Sequence, residues 1–531
     1  MVYYELIKIR KAVLVLTIMN MERFNEMKKF FHDIVKENHY ARLGKVFKTN
    51  HKNYFYDTGT GKIFECTEAV YKILKCLESK NSFDELLNLD MSEKDLIDGL
   101  SEIKEGIVNE NLLQAPPVTT FSGPNVENLE VYINEGLEQI TLELTERCNL
   151  RCGYCIYGQQ NDLFRGFGTH DMSFETAKKA IDYAALHSGD ELAVTFYGGE
   201  PLLNLDVMKK TIDYCKETIK DKKITYSITT NLVLMTKEVA EYIASIDDFI
   251  VTCSLDGPKE IQDEYRKFPD GTGSFDVVIK GLKNIADALG NQISKRLTFS
   301  MVVNPPYTDE RFDAIQKFFD SLEWLPSDVV KNVTYVQDRR QKKVNEEEFF
   351  AAFDGEVDPM GEWTNKNINK YSELEQGKLF TAKNIENQFL RIHLRRLHDK
   401  PMDCYTFNGC CVPGSRRIYV TAEGKFKICE RIGLSPYIGD VDNGIDFPAL
   451  KKHYIDDYMK QAIKECNECW AVHLCSICYA ECYDENGVNF DGRYALCHAL
   501  RYDMEQGLIE YHKILEEDPE SLQYLNSIEV K

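Results

Sequence analysis

Alternation of apolar and polar residues marks Ile140-Thr-Leu-Glu-Leu-Thr145 as a β-strand. Strand patterns recur at residues 192–198, 224–230, 249–255, 296–303 and 333–337. Between them lie SFETAKKAIDYAALHS, LDVMKKTIDYCKETI and SFDVVIKGLKNIADAL, whose apolar residues return at three and four spacing, the stripe of an amphipathic helix. Strand and helix alternating in this way predict a parallel sheet, and six strands over about two hundred residues predict a partial (β/α)6 barrel rather than a closed eight-stranded one.

The flanks read differently. KVFKTNHKNYFYDTGTGKIFEC (45–66) suggests two or three strands with a Gly-Thr-Gly turn, followed by helices TEAVYKILKCLES, SFDELLNL and SEKDLIDGLSEIKEGI. Ala-Pro-Pro-Val-Thr-Thr and Ser-Gly-Pro between 115 and 124 mark a linker into the barrel. QDRRQKKVNEEEFF and NQFLRIHLRRLH, within 338–400, predict helices that bridge the barrel to the C-terminal region. The expected organisation is an N-terminal extension (1–40), an α+β unit (41–115), a linker (116–135), the barrel (136–340), a helical bridge (341–400), a Cys-rich domain (401–500) and a C-terminal helix (501–531).

Composition supports a folded, multidomain chain: 531 residues, 43% hydrophobic, 28% charged and only 15 Pro. A net charge of −22 disfavours a general nucleic-acid binder. Charge is uneven, however, with eleven Lys/Arg against five Asp/Glu in residues 1–53, a local excess suited to steering an acidic partner or simply to a solvated face. The longest apolar run, AVLVLTIM (12–19), is too short to span a bilayer, and no small-residue cleavage site comes after it, so we expect no membrane segment, no export signal and a cytoplasmic location. A natural start at Met19 or Met21 would also account for the unusual first twenty residues.

Seventeen Cys is high for a large intracellular chain, and they cluster: Cys148, Cys152 and Cys155 stand together, and ten more lie between Cys404 and Cys497. Disulfides occur mainly in small secreted domains, so thiolates on metal are the better reading. Structural zinc takes four ligands, whereas the CxxxCxxC of CNLRCGYC offers three, a count that fits an iron-sulfur cluster with one open iron. The loop carrying them comes directly after the first barrel strand, at the end where barrel active sites sit. Cys66, Cys76, Cys215 and Cys253 lie within helix or strand patterns and read as packing residues.

With Tyr197-Gly198-Gly199-Glu200-Pro201 after the second strand and Ser254-Leu-Asp-Gly257 after the fourth, the chain resembles the radical S-adenosylmethionine (SAM) superfamily. Either motif alone also occurs as a redox or zinc fragment or a simple glycine turn; their order on successive strand ends carries the resemblance. It implies a partial TIM barrel in which Cys148, Cys152 and Cys155 hold a [4Fe-4S] cluster whose fourth iron is chelated by SAM, and radical oxidoreductase chemistry. It further implies SAM contacts at Gly198, Gly199, Glu200 and Pro201, with the glycines allowing close backbone approach and Glu200 accepting from the SAM ammonium. Tyr154 would present its backbone to adenine, Ser254 would reach the ribose, and Arg266 would pair with the carboxylate.

The second cysteine field, Cys404-x5-Cys410-Cys411-x12-Gly424-x4-Cys429 and then Cys466-x2-Cys469-x5-Cys475-x2-Cys478-x3-Cys482 with a distal Cys497, resembles a SPASM domain. Ile418 to Cys429 reads as a hairpin turning at Glu-Gly. The resemblance implies two auxiliary [4Fe-4S] clusters, one on Cys404, Cys411, Cys429 and Cys478, the other on Cys466, Cys469, Cys475 and Cys497. The family spaces its next ligand from the position of Cys475 by three intervening residues, whereas here Cys478 comes after two and Cys482 after six. Flanking residues favour Cys478, with Cys482 its rival and Cys410 left over. A pair of zinc ribbons is the alternative for this field.

The α+β unit resembles a winged-helix recognition element for ribosomal precursor peptides, which captures a leader as an added strand. The combination implies a maturase of ribosomally made (RiPP) peptides, first of all a sactipeptide-type enzyme installing Cys-to-carbon thioethers, with a precursor peptide and a flavodoxin- or ferredoxin-type electron donor as partners. Carbon-carbon crosslinking or epimerising enzymes and a formylglycine-forming sulfatase maturase are the rivals; pure electron storage would leave the GGEP motif unexplained. No catalytic acid or base emerges, Glu143, Asp256 and Asp403 being candidates only.

Overall fold

In the computed structural model the described residues are 21–35, 39–158, 164–336, 344–352, 357–368, 374, 376–407 and 409–528. The N-terminal extension up to residue 20 and the beginning of the QDRRQKKV stretch lie outside them. Three antiparallel strands, β1 (Gly44–Lys48), β2 (Asn53–Asp57) and β3 (Ile63–Cys66), form a sheet in that order. Helices come next at Glu68–Lys80 and Glu93–Glu110, their starts fixed by Thr67 and Ser92, whose side chains accept from the amides of Val70 and Asp95. The segment between them, expected as a helix, is a 3-10 turn at Phe83–Asn88, with Phe83 and Leu86 pinned into the core. Period-two patterning gives this small sheet two jobs. Val46 and Phe55 face its own helices, whereas Phe47, Tyr54 and Tyr56 face Phe389, Trp470 and Leu508 of the C-terminal half.

Six parallel strands form the barrel: β4 (Gln139–Thr145), β5 (Glu191–Gly198), β6 (Lys223–Thr230), β7 (Phe249–Ser254), β8 (Leu297–Val303) and β9 (Lys331–Tyr335), each paired with the next. Their helix-facing residues, among them Leu142, Phe196, Ile228, Val251 and Phe299, are fully buried under helices such as Phe174–His187 and Phe275–Leu289, as a sheet covered on its outer face requires. This is the expected partial barrel.

The sheet does not end at β4. A strand from the Cys-rich region, β10 (Ile418–Val420), pairs parallel to it, Ile418 opposite Ile140, and turns back as β11 (Lys425–Lys427) before two short strands at Gly439–Asp440 and Gly444–Ile445. Ten strands thus form one continuous sheet. The expected linker is built into the body: Phe121–Ser122 pairs with Tyr405–Thr406, and helix Leu129–Glu135 buries Leu129 and Ile133. Helix Ala382–His393 packs on helix Arg493–Glu517, which begins earlier than position 501 and passes into a 3-10 turn at Pro519–Ser527. No described helix is long and apolar enough to cross a membrane.

Candidate active site and cysteine centres

Cys148, Cys152 and Cys155 occupy the loop leaving β4. Their half-buried thiols lie near enough to disfavour one another's ionisation, and burial pushes Cys148 up to about 12 and Cys152 up to about 11. Amides are aimed at the sulfurs: Leu150 N–H points at Cys148 Sγ (3.4 Å), the Tyr157 amide bonds the Cys155 thiol, and Asn231 Nδ2 lies 3.8 Å from Cys148 Sγ. Two backbone bonds, Arg151 N to Lys267 O (2.7 Å) and Gly153 N to Tyr265 O (2.8 Å), tie this loop to the segment beyond the fourth barrel strand.

The glycine pair has a role other than the one expected. A Cβ at Gly199 would lie 2.1 Å from Arg147 O, and one at Gly198, where φ is +130°, would lie 2.4 Å from Thr145 O. The backbone that approaches is therefore the cysteine loop itself, held by Gly199 N to Thr145 O (2.8 Å) and Glu200 N to Arg147 O (2.9 Å). Glu200 is fully buried and already accepts from Leu202 N (3.1 Å), Thr230 Oγ1 (2.8 Å) and Asn231 N (2.8 Å), so its first task is to lock the exit of β6 beside Cys148. Burial pushes its pKa up to about 7. Pro201 starts the 3-10 turn at Pro201–Asn204.

Asp256, fully buried, accepts from Arg266 Nε (2.9 Å) and Nη2 (3.1 Å), from Val302 N (3.0 Å) and from the Tyr154 hydroxyl. Those contacts use up its acceptor capacity and make it a clamp rather than a free acid or base. Arg266, expected free for a carboxylate, commits two nitrogens to Asp256, and its side chain also bonds the Cys152 thiol. Ser254 closes β7, half-buried and opposite Ser300. Glu143, the second carboxylate candidate, is buried against Arg165, with Nε at 2.7 Å, and accepts from Ala422 N (3.2 Å). Asp403 is exposed.

Tyr197 and Tyr419 stand edge to face, 6.5 Å between ring centres, and the Tyr197 hydroxyl feels both Cys155 and Cys429. The β10–β11 hairpin thereby brings the second cysteine field to the mouth of the barrel. Within that field the thiols fall into two neighbourhoods. Cys429 and Cys411 each lie close to Cys478, and Arg431 N–H points at Cys429 Sγ (3.3 Å). Cys466, Cys469, Cys475 and Cys497 line one cavity of about 60 Å³ together with Arg493. Cys404 is exposed on a separate cleft, and half-buried Cys410 and buried Cys482 sit near each other, Cys410 against the Tyr458 hydroxyl (3.5 Å). No group of three or more His, Cys, Asp or Glu side chains among the described residues is poised to hold a lone metal ion. Arg165, Tyr419 and Arg493 escaped the sequence reading because isolated Arg and Tyr carry no spacing signal.

Residues 142–319 match the model of the Radical SAM superfamily. The chain carries a radical SAM domain. An uncharacterized protein of Methanocaldococcus jannaschii is 26% identical over 62% of this chain and 99% of its own length. The serine-type anaerobic sulfatase-maturating enzyme of Bacteroides thetaiotaomicron is 36% identical over 25% of this chain and 33% of its own. The mycofactocin maturase MftC of Mycobacterium tuberculosis is 34% identical over 28% and 34%. The chain spans about a third of the length of those two named enzymes. Among solved structures, native anSMEcpe with bound AdoMet shares the fold at a TM-score of 0.53 and 19% identity, over 73% of this chain and all of that one. The radical SAM domain relates this protein to peptide-modifying and sulfatase-maturating enzymes. A radical SAM domain implies a [4Fe-4S] cluster and SAM, and the grouped sulfur donors with amides directed at them fit that cluster.

Proposed function

We propose that the protein is a peptide maturase that binds a precursor through the N-terminal unit and joins a Cys sulfur of that peptide to carbon. Cys148, Cys152 and Cys155 would hold the SAM cluster, Gly198 to Pro201 and Ser254 would border the nucleotide, the Tyr154 backbone would face adenine, and the remaining Arg266 nitrogen would face the carboxylate. In this reading residues 401–500 are a SPASM domain, with Cys466, Cys469, Cys475 and Cys497 holding one auxiliary [4Fe-4S] cluster and Cys404, Cys411, Cys429 and Cys478 the other. When bound, these groups supply reductive cleavage of SAM, a carbon radical that takes hydrogen from substrate, and an acceptor for the electron left when carbon and sulfur join. The chain's own part is to orient the peptide and exclude water. Glu143 and Arg165 form a buried pair at the barrel mouth, and Tyr197 and Tyr419 wall the space between the two cysteine fields.

The observation that carries the reading is the parallel addition of Ile418–Val420 to β4, which sets Cys429 near Tyr197, at the end of the neighbouring barrel strand. A second cysteine centre within reach of the first suits a reaction that removes two electrons from substrate. Strand β3, half-buried at the edge of a three-stranded sheet, supports a recognition element that takes a leader as an added strand. The test is anaerobic reconstitution with iron and sulfide, then incubation with SAM, reductant such as a flavodoxin, and the peptide encoded beside the gene. Loss of two hydrogens per bond, with the peptide Cys no longer alkylated by iodoacetamide, supports thioethers. Unchanged peptide counts against the proposal.

A second reading, formylglycine formation, is favoured by the match to the Bacteroides thetaiotaomicron enzyme. It predicts a hydrazide-reactive aldehyde in a sulfatase peptide instead of a crosslink.

A further inference from the structure

A cleft of about 1020 Å³ opens on the side of the molecule where the N-terminal sheet, helix Ala382–His393 with the chain that leaves it, and the Cys-rich region meet. It is separate from the barrel mouth: its walls carry Tyr56 from β2, residues from the stretch 383–403, His473, and Cys404 and Cys475 of the second cysteine field, but no residue of the GGEP motif or of the first cysteine loop.

Its charge is opposite to that of the whole chain. Five Lys and Arg side chains line it against two carboxylates, Asp399 and Asp403, in a protein whose net charge is −22. Two of the five are engaged: Lys383 pairs with Glu386, and Arg395 donates to the carbonyls of Gly61 and Ile392. Arg396 and Lys400 make no side-chain hydrogen bond or ion pair among the described residues, whereas Arg391 is attracted to the Asp503 carboxylate and the Cys475 thiol. Two neutral groups on the same walls are also unsatisfied. The hydroxyl of Tyr56, a fully buried side chain, and Nε2 of His473, whose ring stacks on Tyr405 at 4.8 Å, are buried with no hydrogen-bond partner. Buried polar atoms ordinarily have partners, and cations gathered in a concave wall raise the local concentration of anions. Two free cations, Arg396 and Lys400, and two orphaned polar atoms around one cleft make a receptor for a ligand rich in anionic acceptors.

We propose that this cleft binds an acidic segment of the peptide substrate. The inference rests on the peptide-maturase reading and adds the chemistry of the recognised stretch: several Asp or Glu carboxylates in extended chain, of which about six residues span roughly 20 Å. A concave slot suits a single chain better than the convex face of a globular protein, and carboxylates offer the paired acceptors that guanidinium forks take. Tyr56 belongs to the sheet whose β3 edge is free, so a peptide held at that edge has the cleft beside it. Charge reading then sets specificity and capture rate, while edge pairing sets register.

The experiment uses the full reconstituted chain and a fluorescein-labelled probe of six consecutive Glu residues flanked by Gly, with a Lys probe of the same length as control, read by anisotropy at low and moderate salt. Saturable binding of the Glu probe is expected, weakened by salt, with the Lys probe silent. The double variant R396Q/K400Q weakens it at least about tenfold, and K280Q, which removes an exposed cation elsewhere, leaves it unchanged. Iron content and SAM cleavage are measured in the same preparations. If both are normal and the Glu probe does not bind, or binds the double variant as tightly, the cleft proposal falls alone; if the wild-type chain holds no iron, the parent reading falls. Unchanged probe affinity together with slower reduction by flavodoxin would assign the cleft to an acidic electron carrier and overturn the proposal.

Discussion

Arg493 donates from Nη1 to the Tyr458 hydroxyl at 2.6 Å, and the same guanidinium lies 3.5 Å from Cys482 Sγ and 3.9 Å from Cys466 Sγ. It is only 4% exposed, and the groups acting most strongly on its charge are Tyr458, Cys482, Cys466 and Cys497. A buried cation needs compensating negative charge, and beside Glu465 the thiols lining its cavity supply it once they bind metal. Under the proposed ligand set, N–H donors and positive charge favour the reduced, more negative cluster. Replacing Arg493 with Met should lower the midpoint potential of that cluster by roughly 60 mV, a tenfold change in a one-electron equilibrium. An EPR-monitored redox titration in which the potential stays put would remove this role.

Cys404 and Cys410 divide the ligand question. The proposed set uses exposed Cys404 and leaves half-buried Cys410 against Tyr458. Cys404→Ala should cost one auxiliary cluster, read as iron and sulfide per chain, while Cys410→Ala should keep all three. The reverse result reassigns the ligand. Cys148→Ala should abolish 5′-deoxyadenosine formation altogether.

Gly199→Ala tests the stitched backbone. With its Cβ 2.1 Å from a carbonyl oxygen that cannot swing away, the substitution should destabilise the chain by about 1–3 kcal/mol and loosen the cysteine loop. Urea unfolding and iron retention check the two consequences separately; wild-type behaviour in both would show that the contact relaxes freely.

Asp503 gives the chain a pH-dependent weakness. Burial, reinforced by Asp358, pushes its pKa up to about 8 from an ordinary value near 3.8. The folded state then holds a proton that the unfolded chain has lost, so stability falls as pH climbs from about 4 to about 8. Asp503→Asn should flatten that slope, leaving stability near wild type at pH 4 and above it by several kcal/mol at about pH 8.5. Equal slopes in urea melts across this range would show that Asp503 is ionised without cost.

The strands and helices of the barrel were readable because period-two and three-four patterns are local consequences of backbone geometry, and Phe249–Ser254 and Leu297–Val303 lie within a residue of their expected limits. The short segment at Phe83–Asn88 reads as a helix in the sequence because six residues carry too little periodicity to separate a 3-10 turn from an α-turn. The glycine pair was visible, but its reason was not: which carbonyl fills the missing Cβ depends on how β4 and β5 meet.

Spacing along the chain, by itself, determined that Cys148, Cys152 and Cys155 would share one loop at a strand end, since three residues within eight positions have nowhere else to go. Tertiary structure alone decided the longer-range matters: that a strand from beyond residue 400 would extend the barrel sheet, that Arg165 would find Glu143, that Arg266 would be held by Asp256, and that cations from one helix would face the sheet of another unit. Hydrogen bonding between distant edges and the pairing of buried charges depend on packing of the whole chain, and local pattern does not encode them.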